Sequence, residues 1–150
     1  MAQRKYSVSG ARTNTAAKTV INVTSASTIR PSIYDIVFGS DATPADNAAS
    51  YYVQRHTAAG TSTAFTPIAL DPADPASLAA SGFNHTVEPT LTASSYLLEW
   101  SQNQRATFRW VAAPNSELVM PATAANGLSV VTNSIGGSAV NVTCSLLYLE

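Results

Sequence analysis

Apolar and polar residues alternate with a period of two over most of this chain from Thr19 onward. Val20, Asn22 and Thr24 fall in one phase and Thr19, Ile21 and Val23 in the other. Such alternation marks half-buried β-strands. Ile33 to Phe38 is a dense apolar run, and Tyr51 to His56 reads as a further strand. Thr61 to Leu70 has strand character that Pro67 breaks or pushes to a sheet edge. Asp71-Pro-Ala-Asp-Pro is a turn, because proline presets φ and Asp binds its own backbone. Ala76 to Ser81 is long enough for one helical turn. Strands are expected again at His85–Thr92, Tyr96–Ser101, Arg105–Ala113, Leu118–Met120, Leu128–Thr132 and Ser138–Leu149. No long window keeps a 3.6-residue period. The expectation is an all-β chain, a β-sandwich or jelly-roll-like domain of about eight short strands over residues 19–150.

Two hairpins follow from parity. If Ser101 pairs with Arg105 across a three-residue loop, Trp100 faces Ala106, Leu98 faces Phe108 and Tyr96 faces Trp110. The opposite face then holds Glu99 between Arg105 and Arg109, so this register separates an apolar from a charged side. In the last pair, Ile135-Gly136-Gly137 forms the loop and Val130 opposes Val142, with Leu128 opposing Cys144. Beyond Cys144, Leu146 to Leu149 is apolar on both faces. A terminal strand of that kind is either central in its sheet or covered by a neighbouring subunit. Tyr51, Tyr52, Leu147, Tyr148 and Leu149 are therefore the candidate subunit-interface residues.

Charge adds a second layer. Only 11% of the 150 residues are charged, against roughly 25% in ordinary globular domains. The first five charges, Arg4, Lys5, Arg12, Lys18 and Arg30, are all basic, and no lysine follows Lys18. Residues 1–18 thus read as a flexible basic arm, with Arg4, Lys5, Arg12 and Lys18 as candidate partner-binding residues. A net charge of −1 argues against direct nucleic-acid binding by the body. No run reaches the ~20 apolar residues of a membrane span, and the polar N-terminus is no signal peptide.

Candidate chemistry is sparse. His56 and His85 lack ligand-spaced partners, and the Asp41/Asp46/Asn47 loop lacks the alternating oxygens of a calcium loop. Cys144 is the only cysteine and sits in an apolar phase, and no Gly-x-Ser-x-Gly elbow occurs. Asp71 and Asp74 are the only paired carboxylates, and they lie between prolines. The reading is no catalytic residue, no metal and no cofactor. Tyr96, Trp100, Phe108 and Trp110 share their face with Leu98 and Ala106, which favours a core over a sugar-binding or base-stacking platform.

Ile33-Tyr-Asp-Ile-Val-Phe-Gly-Ser-Asp, Gln54-Arg-His-Thr-Ala-Ala-Gly, Leu70-Asp-Pro-Ala-Asp-Pro and Leu98-Glu-Trp-Ser-Gln-Asn-Gln-Arg-Ala-Thr-Phe-Arg-Trp together resemble small virion proteins of tailed bacteriophages, over about residues 31–147. Within that group the resemblance is to head decoration, or cement, proteins. It implies a non-enzymatic protein made in the host cytoplasm and carried on the phage head surface, where it bridges major capsid subunits. It also implies self-association, as a homotrimer in preference to a dimer, with the arm as tether. The alternatives are another virion component (tail, fibre, baseplate or coat) or a carbohydrate-binding module.

Overall fold

Strands form where small polar and β-branched residues alternate with large apolar ones, and they sort into two antiparallel sheets. The computed structural model describes residues 3–150. Sheet 1 contains β1 (Lys5–Thr13), β3 (Ser32–Ser40), β6 (Ile68–Ala69), β9 (Phe108–Val111), β10 (Leu118–Val119) and β12 (Asn141–Leu149). Its order is β10-β3-β12-β1-β6, with β9 also on β3. Sheet 2 contains β2 (Thr19–Thr24), β4 (Ala48–Ala58), β5 (Thr61–Phe65), β7 (Ala80–Val87), β8 (Thr90–Asn103) and β11 (Gly127–Ile135). Its order is β5-β7-β2-β11-β4-β8. The two sheets pack as a β-sandwich.

The pairing is nested: β1 with β12, β2 with β11, β3 with β9 and β10, β4 with β8, alternately in sheet 1 and sheet 2. That is the strand order of a jelly roll, with β5 to β7 inserted between β4 and β8. Tyr6, Val8, Ile36, Phe38, Leu146 and Tyr148 fill the core from sheet 1. Ile21, Tyr51, Val53, Trp100, Leu128 and Val130 meet them from sheet 2. Phe38, Tyr51, Trp100 and Phe108 form its aromatic centre, Trp100 stacking on Phe108 at 4.4 Å between ring centroids and 6° between planes.

The expected basic arm is instead strand β1. Lys5 to Thr13 pairs with Leu149 to Asn141 along its whole length. Tyr6 and Val8 are wholly buried, and Gly10 sits so close to Phe83 that a Cβ there would lie 2.6 Å from the Phe83 Cβ. No domain boundary falls at residue 18; Met1 and Ala2, the first residues of that arm, lie outside the described residues. The described residues form twelve strands, where about eight were expected.

Both expected hairpins are also corrected. β8 pairs with β4 and β9 with β3, so the chain crosses between sheets at residues 104–107. β11 and β12 likewise lie in different sheets. A crossing preserves the parity of a hairpin, because both strands still turn their apolar sides to one core. Gln104, 2% exposed, holds these corners together. Its side chain donates to the carbonyls of Gly136 and Ser138 and accepts from the Ala45 amide.

Residues 76–79 are irregular, not helical, because the Glu150 carboxylate captures them. It accepts hydrogen bonds from the Ser77 hydroxyl and from the Leu78 and Ala79 amides. The Asp71 turn forms as expected, with Asp71 Oδ1 accepting from the Ala73 amide at 2.9 Å. Pro67 separates β5 from β6.

Sheet 2 has a further layer. Only Ala59-Gly60 separates β4 from β5, and only Glu88-Pro89 separates β7 from β8. Ala58 pairs with Thr90 and Thr61 with Val87, so these four strands make one continuous two-stranded ribbon. Gly60, at φ +74°, makes the bend; a Cβ there would lie 2.2 Å from the Val87 carbonyl oxygen. The ribbon runs from one edge of sheet 2 to the other across its outer face. Asn22 on β2 donates to the Ala59 carbonyl, and Gln54 on β4 to the Thr92 carbonyl. This cover explains why every residue of β2 is buried.

Candidate interaction surface

The two sheets present opposite chemistry on their outer faces. Beneath the ribbon, sheet 2 buries a polar layer. His56 is 1% exposed and its ring nitrogens bond Thr24 Oγ1 at 3.2 Å and Ser129 Oγ at 2.9 Å. Burial, helped by nearby His85, pulls the His56 pKa down to about 4, so the ring is neutral at pH 7. This His–Ser–Thr group is buried and ties β4 to β2 and β11.

Arg12 anchors the ribbon beside its bend. Its guanidinium donates to the carbonyls of Thr19 and His85 and lies 2.8 Å from Glu88. Lys18 is 3.5 Å from the same carboxylate. Although burial opposes it, the Thr19 amide and Arg12 hold the Glu88 carboxyl below its usual pKa. Of the four arm cations, Arg12 and Lys18 thus serve the fold. Arg4 and Lys5 remain on the surface, Arg4 with its backbone paired to Glu150.

The outer face of sheet 1 has no such cover. Odd-numbered positions of β1 and β12 point outward: Lys5, Ser7, Ser9, Ala11 and Thr13 beside Leu149, Leu147, Ser145, Thr143 and Asn141. Val37 on β3, with Arg109 and Val111 on β9, continues the same face. The Asp35 side chain there is 7% exposed beneath the Arg109 guanidinium, which grips both its oxygens at 3.1 and 2.7 Å. Apart from this pair and from Lys5 and Asn141 at its ends, the face is built from Ser, Thr, Ala, Gly, Val and Leu. At its end a shallow trough is lined by Lys5, Tyr34, Pro114, Glu117 and Leu149.

Of the five candidate interface residues, the structure leaves only Leu147 and Leu149 on this face. Tyr51 and Tyr148 are core residues, 1% and 0% exposed. Tyr52 is 9% exposed and packs on Tyr96. The sequence does signal that split, since Tyr148 lies in phase with Cys144 and Leu146 while Leu147 and Leu149 lie in the other. Trp100 is 7% exposed and Trp110 packs partly buried on the core, so neither offers an open aromatic platform.

The remaining candidates for chemistry are engaged within the chain. Cys144 is wholly buried and its thiol pKa is raised by burial. Asp41 bonds the Asn141 amide and Asp46 that of Asn103. Among the described residues, no three His, Cys, Asp or Glu side chains converge on a metal position. Comparison with protein-family models, with curated proteins and with solved structures gives no match.

Proposed function

We propose that this chain is a structural protein of a tailed-phage particle, a cement protein that binds the outside of the assembled head and bridges major capsid subunits. The carrying observation is the uncovered outer face of sheet 1. It is a regular face of mostly small side chains, with Lys5 and Asn141 at opposite ends and Asp35 already paired with Arg109. Such a face suits a protein whose function is to be covered by others, because it loses little polar solvation on contact. The jelly-roll strand order supports the reading, since viral capsid domains use it. Fold alone does not assign function, as lectins share this architecture.

The folding of β1 changes the attachment mode expected from the sequence. Residues 5–13 belong to the body, so attachment comes from folded surface and not from a tether. The test is co-sedimentation of purified protein with assembled heads and with unassembled capsid protein. Saturable binding to heads alone is expected. Recovery only with tails or baseplates would favour the other virion roles, which need a face of the same kind.

A further inference from the structure

We infer that the outer face of sheet 1 joins two copies of this chain face to face about a two-fold axis that lies between the faces and runs parallel to β12. The inference concerns the isolated protein and is independent of its place in a virion. Three features of the face fit a second copy. First, its apolar side chains lie centrally: Leu147 and Leu149 occupy β12, flanked by β1 on one side and β3 on the other.

Second, its charges are self-complementary. Lys5 pairs with Leu149 from the β1 side, while Glu117 approaches from the loop beyond Tyr34 and Pro114. Both line one trough with Leu149 between them, and neither takes part in an ion pair among the described residues. A two-fold between the faces, parallel to β12, sets the β1 side of one copy over the β3 side of the other. It sets Lys5 of each copy over Glu117 of the other, with Leu147 and Leu149 meeting their counterparts. The Asp35–Arg109 pair is internally neutral and adds no repulsion.

Third, the size is adequate. Three nine-residue strands and the four-residue β9 span roughly 500 Å² at ordinary strand spacing and rise. The trough walls extend this toward the ~600–1,000 Å² per partner of a stable protein interface. Two flat twisted sheets pack face to face in the same way that sheets pack inside a sandwich. Isologous contact of this kind closes at two copies, which distinguishes it from the homotrimer implied by the family resemblance.

Sedimentation velocity on the full chain at micromolar concentration tests the assignment. The expected species has twice the 15.7 kDa chain mass. Leu147→Glu is expected to give monomers with an unchanged far-ultraviolet circular dichroism spectrum. Lys5→Glu and Glu117→Lys are each expected to raise the dimer dissociation constant by about tenfold, and the double exchange to restore it. Lys5 is exposed and Glu117 half-buried at the trough, outside the core, so these exchanges keep the test valid should Leu147→Glu misfold. A monomeric wild type, a trimer, or a dimer indifferent to all these changes would overturn the inference.

Discussion

At the scale of single residues, the few charges do unequal work. The Arg12 side chain is 12% exposed and joins β1, β2, β7 and Glu88 through three contacts. Arg12→Met is expected to cost about 1.5–3 kcal/mol, the range for hydrogen bonds to charged groups. Lys18, 45% exposed and 3.5 Å from the same acid, is an ordinary surface ion pair, so Lys18→Met should cost under about 1 kcal/mol. Urea denaturation of both variants checks the contrast; equal effects would contradict the anchoring role of Arg12.

His56 gives the pH dependence. An unfolded histidine titrates near 6.5, while His56 in the folded chain does so at about 4. Its neutral burial therefore contributes stability fully present above pH 6.5 and lost as pH falls through 4. The loss amounts to about 3 kcal/mol. His85, also lowered by burial, acts in the same sense, and Glu88 adds to the loss below pH 4.5. Urea midpoints should fall steadily between pH 7 and pH 4, and His56→Gln should reduce that slope. A flat profile would show that the ring under the ribbon is hydrated.

At the scale of elements, β1 is the sharpest case. Tyr6 and Val8 do alternate with Ser7 and Ser9, a strand signal present in the sequence. The pattern fades at Gly10 and Arg12, whose inward positions are filled by Phe83 and by an ion pair and not by apolar side chains. Low hydrophobicity was therefore a poor guide to order here. A chain lacking residues 3–13 loses a strand that pairs with both β6 and β12, and it is expected to show no cooperative thermal transition; a folded truncated chain would contradict the topology.

Most other strands were legible because parity depends only on neighbours in sequence. Whether Trp100 and Phe108 meet within one sheet or across the core was not, since parity is the same in both. Gln104 decides it through contacts with residues 32 and 34 positions away. With Trp110→Phe, the emission of Trp100 alone should be blue-shifted and resistant to acrylamide. Trp100→Ala should cost about 3–5 kcal/mol. Of the candidate surface, Leu147 and Leu149 were readable from the terminal apolar run, whereas the neutralisation of Asp35 by Arg109 depends on a pairing across 74 residues.

At the scale of the whole molecule, the scarcity of charge takes a spatial form. Sheet 2 turns its polar groups inward under a ribbon, and sheet 1 leaves a small-residue face uncovered. A dimer formed through that face would carry two identical sets of remaining surface, so even weak contacts with a repeating lattice would gain avidity. The most direct test of the structural role is quantitative co-sedimentation with assembled heads stripped of minor proteins. The account predicts saturable binding at a fixed ratio to the major capsid protein, with no binding to the unassembled subunit. Protein that stays in the supernatant at every head concentration would contradict it.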